Sequence, residues 1–302
     1  MGGSLRNPAS FCNVVGFRPS PGRVPMYPVP TAWSTMVVQG PMARNVSDVA
    51  LMLSVMAGPD PRSPIALQDP GVEFDVPLER DLRGLRVAWS PDLGGAVTVD
   101  TAVTAALMPA LNVFRDLGCS VERACPDFTG ADEVFRALRA WQFVHGFDGL
   151  IGACPDQVKA TIIANADEGR RLTGLDIARA EQLHTELFHR VRVFFENYDI
   201  LLLPVSQVPP FPANLEFPDE IAGVRHDNYL DWMRSSYLVT ATGCPALSVP
   251  AGFTPDGLPV GLQVVGPHRQ DLAVLQVGHS FEQATRIATR RPSIASTQGA
   301  ST

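Results

Sequence analysis

The chain begins Met1-Gly2-Gly3-Ser4-Leu5-Arg6-Asn7-Pro8-Ala9-Ser10-Phe11-Cys12. A serine directly after two glycines is typical of a nucleophile on a tight turn, because glycine adopts backbone angles that other residues avoid and leaves room for a ligand. Consecutive backbone amides around such a turn can point at one oxyanion. Met-Gly-Gly-Ser alone is more typical of a linker or a flexible terminus. The residues that follow therefore decide between the two interpretations.

The motif continues as Val14-Val15-Gly16-Phe17-Arg18-Pro19-Ser20 and then Gly22-Arg23-Val24-Pro25. From Gly2 onward the pattern resembles the amidase signature family, with Asn13 standing where that family usually has glycine. The resemblance implies that Ser4 is the acyl-accepting nucleophile. It also implies that Arg6 supports the site by pairing with an aspartate that precedes the motif. The oxyanion hole implied by the resemblance is formed by the backbone amides of Met1, Gly2, Gly3 and Ser4.

A second block of the sequence resembles the same family. It comprises residues 242–253 and 256–267, and the segments 41–44 and 198–204 match in the same order. The resemblance implies an α/β fold, a single domain over residues 1–290 in which helices cover a twisted mixed β-sheet. It further implies that the chain is the last two-thirds of the family's domain, with the N-terminal portion missing. Residues 291–302 are rich in Ser and Ala, which predicts a disordered tail.

The composition argues against several classes of protein. The 302 residues are 45% hydrophobic and 18% charged, which is typical of a soluble globular enzyme. A net charge of −7 argues against a nucleic-acid partner. The sequence has no apolar run of about 18 residues, so it predicts no membrane span. The five cysteines are irregularly spaced without a CxxC pair, which favours a reducing cytoplasm over disulfides or a metal site. No GxGxxG or Walker loop is present, so we expect no cofactor.

Local patterns predict the order of helices and strands. Asn45, with Asp48 three residues on, forms a capping pattern that starts a helix, and apolar residues on nearly all its sides predict that this helix is buried. Asp100 starts a second helix, and two apolar runs around Asp256-Gly257 predict a hairpin. The remaining predictions are strands at 85–89, 119–124 and 199–204, helices within 131–197 that break near 154 and 173, and a last helix with Val274, Val277 and Phe281 on one face.

Amide hydrolysis needs an activated nucleophile, a stabilised oxyanion and a proton for the departing amine. The family resemblance implies that a second serine and a lysine activate the nucleophile, and that both precede it in the chain. The only lysine here is Lys159, which lies in a predicted helix without a matching motif, so we predict an exposed surface residue. We therefore expect that turnover by this chain is very weak or absent.

Two structural expectations accompany that prediction. Arg6 should either be exposed or pair with another acid, because an unpaired buried charge is costly. Apolar faces and sheet edges should be left uncovered, so that the chain aggregates or binds a partner, for example a second copy in a homodimer.

The sequence leaves several alternatives open. Within the family, the chain could be an amidotransferase A-type subunit that releases ammonia from glutamine, although residues 27–39 resemble general amidases more. It could instead be a non-catalytic remnant or a gene fragment with a mis-called start. The leading hypothesis is a hydrolase of small carboxylic amides with an apolar acyl or aryl group, and the segments 27–33 and 242–245 are candidates for the pocket wall.

His184 and His189 are five residues apart, which does not fit a zinc-binding helix.

Overall fold

The computed structural model describes residues 1–292. Most of the predicted tail at 291–302 therefore lies outside the described residues. The strands are β1 (Val15–Arg18), β2 (Met42–Ala43), β3 (Arg86–Trp89), β4 (Ser120–Arg123), β5 (Ile200–Pro204), β6 (Glu220–Ile221), β7 (Val224–Arg225), β8 (Ala246–Phe253) and β9 (Pro259–Val265). The helices are α1 (Arg6–Phe11), α2 (Val46–Met56), α3 (Thr101–Asp116), α4 (Ala131–Ala153), α5 (Ala160–Arg171), α6 (Gly174–Asn197), α7 (Arg234–Ala241) and α8 (Asp271–Thr285).

A seven-stranded mixed sheet organises the domain, in the order β2-β1-β8-β9-β5-β3-β4. The strands β5, β3 and β4 run parallel, and every other neighbouring pair in this sheet is antiparallel. The strands β6 and β7 form a separate two-stranded ribbon. The predicted fold class, a single α/β domain with a mixed sheet covered by helices, is confirmed.

Strand β5 shows how the sheet separates two apolar cores. Successive side chains of a strand point to opposite faces. Ile200 and Leu202 accordingly pack into one core with α2, α3 and α8, whereas Leu201 and Leu203 pack into the other with α4, α6 and α7. All five residues of this strand are buried, as the continuous apolar run predicts for a strand covered on both faces.

The local signals for helix starts and turns are confirmed. The Asn45 side chain accepts a hydrogen bond from the backbone amide of Asp48, at 2.7 Å, and Asp100 accepts one from Ala102, at 2.8 Å. Strands β8 and β9 pair antiparallel around the predicted turn, where Gly257 has a φ of +81°. The breaks between α4, α5 and α6 fall near residues 154 and 173, as predicted.

Helix α2 corrects one prediction, because it is not buried on all sides. Val46, Val49 and Leu53 are buried, but Leu51 and Val55 are exposed to 55% and 82%. Within the described residues the helix packs mainly on α8, β1 and the short turn at 71–74, which all contact one side of it. The apolar pattern identified the helix correctly, but it did not show that one apolar face lacks a covering element.

The two edges of the sheet, unlike the outer face of α2, do not expose a long apolar surface. At the edge formed by β4, the exposed residues are Ser120, Glu122 and Arg123, which discourage pairing with another strand. The opposite edge, β2, is two residues long. None of the helices in the described part of the chain is long and apolar enough to cross a membrane.

Two neighbouring positions on α2 test this burial pattern. We predict that Leu53→Ala lowers the free energy of unfolding by about 2–5 kcal/mol, because the side chain is fully buried. Val55→Ala should change it by less than about 0.5 kcal/mol, because that side chain is exposed. Urea unfolding followed by circular dichroism measures both variants. An equal loss for both would show that another surface covers the outer face of α2 in solution.

Candidate active site

The turn before α1 places Ser4 at the protein surface. Gly3 has a φ of +110°, and its carbonyl oxygen accepts hydrogen bonds from the backbone amides of Arg6 and Asn7, both at 2.8 Å. These bonds close the turn and start the helix, and the Ser4 side chain, two residues before α1, is exposed. A positive φ of this size is accessible almost only to glycine, so the sequence Gly-Ser is what permits this geometry.

Helix α7 lies directly behind the turn and leaves no room for a side chain at residue 3. A Cβ atom at Gly3 would lie 2.6 Å from the Cβ of Ser236 and 2.7 Å from Nδ2 of Asn7. The hydroxyl of Ser236 donates to Oδ1 of Asn7 at 2.9 Å and so joins α7 to α1. At Gly2 a Cβ atom would lie 2.8 Å from the sulfur of Met233. Close approach and the positive φ therefore require glycine at residue 3, whereas at residue 2 the flexible Met233 side chain could move away.

The backbone amides of this turn are free to bind a ligand. Those of Gly2, Gly3 and Ser4 donate no hydrogen bond to any acceptor within residues 1–292. The Met1 carbonyl oxygen accepts a hydrogen bond from the hydroxyl of Thr240 at 2.8 Å, which holds the first residue of the motif in place. This arrangement suits an oxyanion, but the roles of Met1 to Ser4 in an oxyanion hole stay a prediction.

A small depression opens beside Ser4. Its wall is formed by Met1, Gly3, Leu5, Arg6, Arg18 and Val38. Its volume of about 10 Å³ is enough for roughly one water molecule, whereas ligand sites usually occupy about 300–1,000 Å³. The described residues thus lie beside the Ser4 hydroxyl but do not by themselves form a pocket for a small molecule. Neither predicted wall segment, 27–33 or 242–245, lines this depression.

Arg6 is buried without a carboxylate partner, which corrects both alternatives predicted for it. The guanidinium donates to Oε1 of Gln263 and, at 2.8 Å, to the hydroxyl of Thr240, and no acid within residues 1–292 forms an ion pair with it. Its Nε has no hydrogen-bond partner there. Burial, and then the nearby charge of Arg18, lower the pKa of Arg6 well below its usual value. Neutral acceptors on α7 and β9 thus take the place of an acid.

Arg18 is the second buried cation at this site, and sequence analysis assigned it no role. It donates to the carbonyl oxygens of Thr35 and Met36, both at 3.3 Å, and so holds the segment that carries Val38 against the depression. Burial lowers the pKa of Arg18 to about 10. Arg18 belongs to the quoted motif, but its two acceptors are backbone carbonyl groups. Every residue has such a group, so the sequence alone does not show which ones Arg18 binds.

The described side chains around Ser4 offer no candidate general base. No Lys, His, Asp or Glu side chain lines the depression. Lys159 is exposed at the start of α5, which confirms that it is a surface residue. Burial raises the pKa of the Cys244 thiol to about 11, so this cysteine is a poor nucleophile at neutral pH. No group of three or more potential metal ligands occurs in the part of the chain that the structure describes.

A substitution at Gly3 tests the geometry of the turn. Gly3→Ala should lower the free energy of unfolding by about 2–4 kcal/mol, because it combines a disfavoured positive φ with a clash against Ser236. The control is Gly95→Ala, where φ is +87° but no atom lies within 4 Å of the new methyl group. That variant should lose only the backbone contribution of about 1–2 kcal/mol. Similar losses in thermal or urea unfolding would contradict close packing behind the turn.

Comparisons with known proteins find relatives in sequence and in fold. An acylamidase of Rhodococcus erythropolis is 34% identical over 293 residues, which cover 96% of this chain and 61% of that protein. The A subunit of a glutamyl-tRNA(Gln) amidotransferase from Synechococcus sp. (strain CC9902) is 31% identical, over 96% of this chain and 63% of that subunit. A solved bacterial aryl acylamidase of the amidase signature family superposes with a TM-score of 0.84 at 27% identity, over 96% of this chain and 63% of that one.

The chain therefore spans a little over three-fifths of the length of the relatives that it matches. The sequence model of one family, described as amidase, matches residues 1–275 and so includes the Ser4 turn, the whole sheet and the first part of α8. On this match, and on the likeness of the fold to an amidase signature enzyme, the chain belongs to the amidase family.

Proposed function

We propose that Ser4 is the nucleophile of an amide hydrolase. The Ser4 oxygen attacks the amide carbonyl carbon, and the oxyanion that forms accepts hydrogen bonds from the free amides of the turn. The C–N bond then breaks as the amine takes up the proton lost by the serine hydroxyl, and water hydrolyses the serine ester, which releases the acid and restores the hydroxyl. The observation that carries this proposal is an exposed serine on a turn whose amides from Gly2 to Ser4 have no partner among residues 1–292.

The described side chains beside Ser4 do not supply a proton relay. A positioned general base or acid typically contributes about 10²–10⁴-fold to a rate, and no Lys, His, Asp or Glu side chain lines the depression. The depression is also too small for a substrate. We therefore propose that these 302 residues alone turn over amides very weakly or not at all. A protein of the relatives' length would have to supply the proton relay and the rest of the pocket.

The substrate class we propose is a simple acyl or aryl amide. The acylamidase relative has a somewhat higher identity than the amidotransferase subunit, 34% against 31%. The solved aryl acylamidase, at 27% identity, supports the same class. The apolar side chains of Leu5 and Val38 at the rim of the depression suit an uncharged substrate.

For location and assembly we propose a reducing cytoplasm and association through apolar surface. The five cysteines are free thiols, which fits a reducing compartment. The exposed residues Leu51, Met52 and Val55 on α2 favour contact with another apolar surface, and a second copy in a homodimer is the simplest partner.

Kinetics of the unaltered chain and of two variants test the role of Ser4. We expect the 302-residue chain to hydrolyse a chromogenic anilide about 10²–10⁴-fold more slowly than an enzyme with a proton relay. Ser4→Ala should remove the remaining serine-dependent turnover, whereas Ser47→Ala, at an exposed serine of α2, should leave it unchanged. A fluorophosphonate probe measures serine reactivity independently.

The outcomes of this experiment separate its two claims. Full turnover that Ser4→Ala abolishes would contradict the predicted weak activity but support the nucleophile. Turnover or labelling that survives Ser4→Ala would exclude Ser4 as the nucleophile. A chain without any serine-dependent reaction, labelling included, would support a non-catalytic remnant. Ammonia release from glutamine only when B- and C-type subunits are added would support the amidotransferase alternative.

A further inference from the structure

A second, larger cleft lies away from Ser4. It has a volume of about 890 Å³ and lies between the end of α1, the start of α2 and the end of α8. It shares no lining residue with the depression beside Ser4. A space of this size is in the range of small-molecule sites, which usually occupy about 300–1,000 Å³.

Arginines dominate the charge of this cleft. Its lining includes Arg44, Arg286, Arg290 and Arg291, all of them exposed. None of these four side chains forms an ion pair or donates a hydrogen bond within residues 1–292. The sequence from 293 to 302 contains no Asp or Glu that could neutralise them. A local cluster of unpaired cations in a chain of net charge −7 attracts anions to this place.

Two carboxylates face the cleft, and both are held by bonds within the protein. The two oxygens of Glu282 accept from the backbone amide of Val46, at 3.2 and 3.1 Å, at the N-terminus of α2. Burial raises the pKa of Glu282, so its negative charge is less favoured than that of an exposed carboxylate. Asp48 accepts from the side chain of Asn45 at 2.9 Å. Four guanidinium groups therefore outnumber the acids that face them.

Asn13 fixes the turn that carries two of these arginines. Its side-chain amide donates to the carbonyl oxygens of Ile287 and Arg290, at 3.3 and 3.2 Å. Its Oδ1 is buried and has no partner among the described residues. The guanidinium of Arg290 also stacks on Phe253, 3.9 Å from the ring centroid. The amidase signature pattern usually has glycine at this position, and glycine has no side chain that could form these bonds. The bonds of Asn13 are therefore a feature of this chain.

We propose that this cleft is a second binding site, for a small anion that carries phosphate and is about the size of a nucleotide. The planar guanidinium groups of Arg286 and Arg290 match the oxygens of a phosphate in pairs. The site is independent of the proposed chemistry at Ser4, so its test does not require amidase activity.

Calorimetric titration of the 302-residue protein tests this site, with ADP, inorganic phosphate and adenosine as probes. We expect ADP to bind more tightly than phosphate, adenosine not to bind, and the ADP affinity to fall as salt is raised from 50 mM to 500 mM. The double variant Arg286→Gln/Arg290→Gln should weaken ADP binding by at least about tenfold. The matched control, Arg62→Gln/Arg83→Gln, removes two exposed arginines that do not line the cleft and should bind ADP normally.

A second variant keeps the test decisive if the double variant does not fold. Asn13→Gly suits the φ of 54° at this position and removes only the bonds to Ile287 and Arg290, so it should fold and weaken ADP binding about three- to tenfold. Absence of ADP binding to the unaltered protein would overturn the proposal. Adenosine binding as tight as that of ADP, or unchanged ADP affinity in the Asn13 variant, would overturn it as well.

Discussion

The burial of Arg6 is the constraint on which the candidate site depends. Its guanidinium joins the first turn of the chain to Gln263 on β9 and to Thr240 on α7, residues more than 230 positions away. Thr240 in turn donates to the carbonyl group of Met1, so one hydroxyl links the cation, the motif and α7. A buried charge without an acid costs several kcal/mol in most proteins. The residues that bear this energetic cost, Arg6 and its partners Thr240 and Gln263, also hold the turn that carries Ser4.

The sheet makes this arrangement possible because its central hairpin is locally well specified. Strands β8 and β9 pair over their whole length, and α1 packs across both of them. The hydroxyl of Ser10 accepts a hydrogen bond from the amide of Gly261 at 2.8 Å, where β9 has no side chain to keep α1 away. The helix that follows Ser4 therefore rests on the best-defined part of the fold. The Ser4 side chain is exposed, but the helix that follows it is bonded to the sheet.

Sequence reasoning succeeded wherever a single segment contained the whole signal. The cap at Asn45, the hairpin around Gly257 and the doubly covered strand β5 all depend on neighbouring residues, and each was predicted. It failed for the outer face of α2, because an apolar helix does not reveal which element covers it. It also failed for Arg6, because acceptors such as Gln263 are neutral, distant in the chain and brought close only by the fold. The exposure of Lys159 was predicted from the absence of any motif around it.

Helix α1 connects the two sites, and its anchoring determines how they can influence each other. Ser4 precedes its first residue and Asn13 follows its last, each by two positions, so six helical residues separate Ser4 from the basic cleft. The bonds of Arg6 to Gln263 and of Ser10 to Gly261 fix this short helix to the sheet near both of its ends. A ligand affects a distant group only through a difference in affinity between two states of the element that joins them. A ligand in the cleft would have to break buried hydrogen bonds to move α1, so occupancy of the cleft leaves the position of Ser4 unchanged unless those bonds are lost.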